Sequence, residues 1–218
     1  MLAPAHVRVL TAVLMLACCA PLAVRGQQVV DRIVVRIEDD ILTLSDLQEL
    51  AAYQKLATGQ ADSTDRLTQE LIEQWIVNTE ATAAHFPQPA DSEVARGVAQ
   101  LEQSFPSPEE YQARLREAGL TPGDVRRMVA REDYLSRYLD YKFRAAVQID
   151  PAAVESYYRN HLVPELKAKG QAAPPLDSVQ DQIVELLTVQ DVNRRSAGWL
   201  EESKGRLKIE IVPPPEAR

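Results

Sequence analysis

The sequence predicts a mainly α fold in which a small β-ribbon pairs the N-terminal part of the chain with the C-terminal part. Two observations indicate this fold class. One β-strand pattern lies near each end, around residues 33 and 209, and the segments between them repeat apolar residues at helical spacing. Because a lone short strand is not stable in water, the simplest arrangement pairs the first strand with the last. The two ends would then close on each other around a helical body.

The first strand is predicted over residues 29–38, which are rich in β-branched side chains. The alternate apolar residues from Ile33 to Ile37 fall on one face, because successive side chains of a strand point to opposite faces. Residues 39–40 are both Asp and can turn the chain. Residues 41–43 are therefore expected to return as a short second strand.

Helices are predicted through most of the remaining chain. Ser45 and Gln48 form a capping-box pattern that opens the first helix. Apolar residues at three- and four-residue spacing mark a long amphipathic helix over residues 65–85. Later helices are indicated by Ser-Pro, Thr-Pro and Asp-Pro pairs, in which the first residue can cap and proline fits the first helical position. These pairs lie at residues 107–108, 121–122 and 150–151.

The C-terminal part is predicted to contain a break, a long helix and a strand. Pro164 is expected to kink or end one helix, and residues 170–175 form a clear interruption. Asp177 with Gln180 is expected to cap the last long helix. Gly205 is expected to close that helix in the left-handed conformation, and the terminal strand follows directly.

Residues 1–26 are predicted to be an export signal. A basic start precedes an apolar stretch of about 16 residues, which is short for a membrane-spanning helix. The alternative is lipoprotein processing, with the chain anchored at Cys18. No later segment approaches spanning length, so contact with a membrane is expected to be peripheral at most.

The composition argues against several classes of function. The chain is 45% hydrophobic and 26% charged, which is typical of a globular protein. Its net charge of −8 argues against nucleic-acid binding, which needs a basic surface. Both cysteines lie in the leader, and the remaining histidines, His85 and His161, have no metal-site or triad context. The sequence therefore predicts no catalytic residue, no metal and no cofactor.

The best functional hint lies in the helix that follows residue 121. At about 100° per residue, Tyr134, Tyr138 and Tyr141 cluster opposite the other apolar residues of that helix. A second apolar face either packs against a neighbour or lines a groove. Tyrosine suits a binding groove because it combines a flat apolar ring with a hydroxyl at little cost in side-chain entropy. These three tyrosines are candidates for binding unfolded polypeptide; packing on the last helix near Trp199 is the alternative.

Several segments, taken in order, span nearly the whole chain after the leader. They are VDRIV (30–34), ILTLSDL (41–47), QELI (69–72), Leu115 with Gly119-Leu120, VESYY (154–158), WL (199–200) and LKIEI (207–211). Together they resemble the SurA family of periplasmic chaperones. Fuller members of that family carry one or two parvulin-type prolyl isomerase domains, each of about 100 residues. Here only residues 163–175 occupy that place, so the resemblance implies the chaperone core without the isomerase.

The resemblance also implies a domain layout and a function. One chaperone domain is expected over residues 27–212, with a body (27–162), a linker (163–175), a C-terminal helix and strand (176–212) and a short tail (213–218). The expected function is a periplasmic, ATP-independent holdase for unfolded envelope or outer-membrane proteins. A dedicated assembly factor with one protein partner is the alternative, and prolyl isomerisation is disfavoured. Exchange of long helices tied by terminal strands makes a homodimer a further expectation.

Overall fold

A three-stranded antiparallel sheet joins the two ends of the segment that the structure describes. The structure is a computed structural model, and it describes residues 31–213. Strand β1 (Ile33–Ile37) lies between β2 (Asp40–Thr43) and β3 (Ile209–Ile211). The predicted pairing of the first strand with the last is therefore confirmed. The predicted leader, the alternative anchor at Cys18 and most of the predicted tail lie outside the described residues.

Between β2 and β3 the chain is mostly helical. The α-helices are α1 (Leu44–Thr58), α2 (Thr64–Ala83), α3 (Asp91–Gln103), α4 (Pro108–Ala118), α5 (Pro122–Phe143), α6 (Pro151–Tyr157), α7 (Val163–Ala168) and α8 (Leu176–Lys204). A 3₁₀ turn (Arg144–Ala146) follows α5, and a π-helical turn (Tyr158–Leu162) joins α6 to α7. The predicted fold class, mainly α with a small β-ribbon, is confirmed. Among residues 31–213, no helix has both the length and the hydropathy that crossing a bilayer requires.

The hairpin of the sheet holds the last strand in place. Val35 of β1 pairs with Ile211 of β3, and the side chains of Val35 and Ile37 are completely buried. Glu38, in the turn, has a positive φ of 49°. Its N–H donates to the carbonyl of Lys208 (3.0 Å), and its Oε1 accepts from the N–H of Lys208 (2.7 Å). Glu38 therefore fastens β3 to the first hairpin through both its backbone and its side chain.

The first helix begins earlier than the sequence predicted. The cap at Ser45 is wrong, because Thr43 is the N-cap residue of α1. Thr43 Oγ1 accepts from the N–H of Asp46 (3.3 Å), and Asp46 Oδ2 accepts from the N–H of Thr43 (2.8 Å). The pairing of β2 keeps Thr43 extended, with φ of −112°, which is the conformation that an N-cap needs. The end of the strand therefore decides which of two nearby cap sequences is used.

Both predicted ends of α8 are wrong in detail. Asp177 lies in the first turn, and Pro175 is the N-cap residue without a side-chain cap. The fixed φ of proline suits a helix start, which explains why no capping side chain is needed. Gly205 is right-handed, with φ of −65°. The chain continues there into one more turn, in which the N–H of Arg206 donates to the carbonyl of Ser203 (3.0 Å), before β3 begins.

The helix that starts at Pro151 is interrupted, as Pro164 predicted. The N–H of Val163 donates to the carbonyl of Tyr158, five residues earlier, and α7 begins with Pro164 in its first turn. Proline has no N–H and its ring crowds the preceding helical turn. The wider π turn accommodates this residue and lets the chain continue as a helix.

Helix α5 is the centre of the helical body and contacts α2, α3 and α8. Its C-terminal half joins α2 and α8 in the core beneath the sheet, and its N-terminal half joins α1, α3 and α4 in a second core. Met128 joins α1 and α2 in a third. At Gly97 of α3 an added Cβ would lie 2.7 Å from Cγ1 of Val129, so glycine permits a close approach of α3 to α5.

Candidate functional site

The three tyrosines predicted for binding lie in two different environments. The side chains of Tyr134 and Tyr138 are each 4% exposed and belong to the core beneath the sheet, whereas Tyr141 is 69% exposed. The predicted tyrosine-lined groove is therefore wrong at Tyr134 and Tyr138. Of the three candidates, only Tyr141 presents most of its ring to solvent.

Phe86 closes the tyrosine face of α5, which consists of Tyr134, Tyr138 and Tyr141. The centroid of its ring lies 5.8 Å from that of Tyr134, 5.5 Å from that of Tyr138 and 5.3 Å from that of Tyr141. The hydroxyl of Tyr134 donates to the carbonyl of Phe86 (3.4 Å). One aromatic side chain from the segment after α2 thus covers the face at Tyr134 and Tyr138 and leaves Tyr141 largely exposed.

The backbone at the end of α2 places Phe86 over the tyrosines. His85 has a positive φ of 52°, which turns the chain back so that the N–H of Phe86 donates to the carbonyl of Ala81 (2.9 Å). The aromatic partner proposed as the alternative, Trp199, instead stacks on Phe143, with ring centroids 5.9 Å apart. The tyrosine face therefore packs mainly on the end of α2.

An open groove lies between α1, α2 and α5, and we call it the helix groove. It consists of two adjoining cavities of about 250 Å³ and about 230 Å³. Gln74 of α2 and Arg131 of α5 border both cavities. The first cavity extends toward Tyr53 of α1, and the second extends toward Leu42 and Trp75.

The base of the helix groove is apolar. Leu50 and Met128 border the first cavity and Leu71 borders the second, and all three side chains are buried in the third core. Since these side chains are fixed by packing, the groove keeps its shape without a ligand. Apolar side chains of a ligand would bury their surface against this base.

Two aromatic side chains flank the helix groove and are held by hydrogen bonds. The hydroxyl of Tyr53 donates to Glu132 Oε2 (3.0 Å), and Trp75 Nε1 donates to Asp40 Oδ2 (3.0 Å). Burial, together with the charge of Glu132, raises the pKa of Tyr53 well above its ordinary value. Tyr53 therefore stays a neutral donor at physiological pH, and both rings present ordered apolar surface.

A chain of side-chain hydrogen bonds runs along the first cavity and ends at Gln74. Gln54 Oε1 accepts from the N–H of Asp62 (2.9 Å), and Gln54 Nε2 donates to Glu70 (2.7 Å). Gln74 Nε2 donates to the same carboxylate (3.1 Å), which fixes the orientation of the Gln74 amide. Gln74 Oε1 is buried and accepts no hydrogen bond from residues 31–213. This oxygen is shielded from solvent and therefore lies beneath the surface of the groove.

The charges around the helix groove are mainly negative. Three carboxylates, those of Asp46, Glu70 and Glu132, border the two cavities together with the exposed guanidinium of Arg131. Arg131 forms no ion pair within the described part of the chain. Burial raises the pKa of Glu70, with smaller contributions from nearby Asp62 and Glu73. This balance favours neutral or basic ligands over acidic ones.

A depression of about 680 Å³ is a poor site for apolar groups. It lies between the start of α2 and the end of α8, and it is lined only by charged and amide side chains, mainly acidic. Over residues 31–213, no three histidine, aspartate or glutamate side chains converge in a way that could hold a metal ion. The helix groove is therefore the candidate functional site.

Sequence reasoning missed the helix groove. One signal for it was present. Gln74 and Asn78 continue the stripe that Leu67 and Leu71 begin on α2, so amide groups stand where helical periodicity expects apolar residues. Polar residues on a core-facing stripe mark a position that is incompletely covered by neighbouring helices.

Neither a family model nor a curated protein sequence matches this chain.

Proposed function

We propose that the protein is an exported, ATP-independent holdase chaperone that binds unfolded envelope proteins in the helix groove. The observation that carries this proposal is the groove itself, in which an apolar base, aromatic sides and amide groups lie together between three packed helices. Unfolded polypeptide exposes apolar side chains next to backbone N–H donors. The groove offers its apolar base to the first and the carboxylates of Asp46, Glu70 and Glu132 at its border to the second.

The expected affinity suits holding and release without an energy source. Fully burying one large apolar side chain is worth about 1.5–3 kcal/mol. Cavities of about 250 Å³ and about 230 Å³ accept only one or two such side chains each. Binding of a short segment is therefore weak, and clients would exchange rapidly unless several segments engage in turn.

The order of elements supports the same proposal. A sheet that closes the first and last segments around a helical body agrees with what the resemblance to the SurA family implies. In residues 163–175 the structure contains the short helix α7 and the loop that follows it. Membership of that family, a periplasmic location and the absence of isomerase activity are parts of the proposal.

The proposal is tested by the aggregation of a denatured outer-membrane protein diluted from urea. We expect the purified protein to suppress light scattering at stoichiometric amounts without ATP. Ala57 lies at the exposed rim of the first cavity, so Ala57→Trp should fill that cavity. If clients bind in the helix groove, this substitution should weaken their binding about tenfold, or about 1.4 kcal/mol. Ala113→Trp, at an exposed position of α4 away from the groove, is the matched control.

Two results would contradict the proposal. Aggregation that is unchanged by a stoichiometric excess of the protein would argue against a holdase. Equal loss of binding in the Ala57→Trp and Ala113→Trp variants would argue against the helix groove as the site.

The second candidate function is a dedicated assembly factor with one protein partner. The observation that favours it is Tyr141, whose largely exposed ring lies against the half-buried ring of Phe86. An ordered exposed aromatic pair is typical of a fixed protein interface. Affinity capture that returns one stoichiometric partner would favour this function, provided that the Tyr141→Ser variant no longer captures it. Capture of many different unfolded proteins would favour the holdase instead.

A further inference from the structure

The free edge of β3 is the strongest surface that the proposed function does not use. The carbonyl of Lys208 accepts from the N–H of Glu38, directly after β1 (3.0 Å), and the N–H of Val212 donates to the carbonyl of Val34 in β1 (2.9 Å). Because backbone groups alternate in direction along an antiparallel strand, the N–H and C=O groups of Ile209 and Ile211 point away from β1. No backbone group among residues 31–213 lies on their other side as a partner.

The side chains of this edge are also incompletely covered. Ile211 pairs with Val35 and so lies on the buried face of the sheet, yet its side chain is 54% exposed. Lys208 and Glu210 alternate with the isoleucines and lie on the solvent side, where Glu210 also forms an exposed ion pair with Arg36 of β1 (3.3 Å). The edge therefore presents apolar side chains on one face and two opposite charges on the other.

We propose that β3 of one copy pairs antiparallel with β3 of a second copy, centred on Ile209, so that two sheets join into one of six strands. In this register the two Ile209 residues are directly opposite and exchange their outward N–H and C=O groups. Lys208 of each copy lies opposite Glu210 of the other, which forms two cross-strand charge pairs. Leu207 lies in the bend before β3 and donates its N–H to the carbonyl of Lys204 (3.3 Å), so Ile211 of each copy lies beside this bend of the other and loses part of its exposure.

The charges of β3 select both the occupant and the register. A strand that reads Lys-Ile-Glu is complementary to itself when reversed about its central residue. The neighbouring register, centred on Glu210, would place two glutamates directly opposite each other, which is destabilising. A two-fold axis through Ile209 satisfies the edge with nothing other than this chain.

The size of the contact predicts a weak dimer. An edge of about four residues buries much less than the roughly 1,600 Å² of a stable protein interface. The copies should therefore associate only at high protein concentration and exchange rapidly. In contrast to helix exchange, this contact leaves every helix in its own chain.

The test uses disulfide formation in the full chain with Cys18 and Cys19 replaced by Ser, so that an introduced thiol is the only one. Lys208→Cys and Glu210→Cys are prepared separately and then mixed under mild oxidation. Directly opposite residues that are not hydrogen-bonded to each other have Cα atoms about 4.5 Å apart, within the range of a disulfide. We expect several-fold more covalent dimer in the mixture than in either variant alone. Association through the leader would affect all three samples equally.

Three outcomes would overturn the proposal. Glu210→Cys alone giving as much dimer as the mixture would place the axis at Glu210. Disulfides formed mainly to an added cysteine-containing unfolded protein would identify a client strand as the occupant. A monomer in sedimentation equilibrium at every concentration of the unmodified protein, with no excess dimer in the mixture, would show that the edge does not pair.

Discussion

The tyrosine face of α5 and the helix groove are built from similar side chains but differ in what covers them. Each combines aromatic rings with one arginine of α5, which is Arg137 over the ring of Phe86 (5.8 Å to the centroid) and Arg131 in the helix groove. Phe86 closes the tyrosine face, and it does so from beyond the end of α2. No corresponding side chain fills the space between Gln74 and Arg131, so two cavities remain there.

This difference shows that amphipathic periodicity finds a second apolar face but does not reveal its partner. The covering residue of the tyrosine face comes from a loop, and its position depends on the left-handed backbone of His85. The opening of the helix groove depends on the separation of three helices. Both features are tertiary, and each can be altered by single substitutions that leave the secondary structure intact.

The largest expected effect concerns the buried part of the tyrosine face. Tyr138→Ala should lower the free energy of unfolding by about 3–4 kcal/mol, because the ring is buried in the core beneath the sheet. Tyr141→Ala should change it by no more than about 0.5 kcal/mol, because that ring is mostly exposed. Urea unfolding followed by circular dichroism measures both. Equal effects of the two substitutions would contradict the assignment of buried and exposed tyrosines.

The next largest effect concerns the cover itself. Phe86→Ala should cost about 2–3 kcal/mol and open the tyrosine face, since this half-buried ring contacts all three tyrosines. Quenching of tyrosine fluorescence by acrylamide should therefore increase, when the tyrosine emission is measured separately from that of tryptophan. Phe86→Leu keeps an apolar cover and is the control, with a smaller rise. Unchanged quenching in Phe86→Ala would show that another group covers the face.

The smallest effect concerns the charge in the helix groove. Burial raises the pKa of Glu70 above its ordinary value of 4.5, so the folded protein binds this proton more tightly than the unfolded chain does. The contribution of Glu70 to the free energy of unfolding is therefore greatest at low pH and falls as the pH rises from 4.5 through the raised pKa. Glu70→Gln, which does not titrate, should show a flatter profile in urea unfolding over that interval. Parallel profiles of the two proteins would contradict the burial of this carboxyl group.

The fold was largely predictable because its determinants are local patterns and one pairing rule. The sequence contains strand patterns from Ile33 to Ile37 and around Ile209, and a short strand needs a partner. The structure pairs these two strands. The Ser107 and Thr121 caps also begin helices as predicted. The predicted cap at Ser45 was wrong. Thr43, two residues earlier, caps the helix instead, because the position of the cap depends on where the preceding strand ends.

The candidate site was much less predictable from the sequence. Tyr134 and Tyr138 share one core with Leu135 of the same helix, and they are partly covered by Phe86, which is 48 residues from Tyr134. The helix groove draws residues from three helices, and its opening is set by the distances between them. No property of one helix encodes such a distance. The exception is Gln74, whose amide on an apolar stripe indicated incomplete cover.

The hydrogen bonds between Glu38 and Lys208 also determine when the sheet can be completed during synthesis of the chain. These residues are 170 positions apart, so a ribosome makes almost the whole chain before the central strand can gain its second neighbour. Until then β1 has only the β2 hairpin, and a two-stranded hairpin is marginally stable in water. The three-stranded sheet is therefore completed only after all the helices between β2 and β3 have been made.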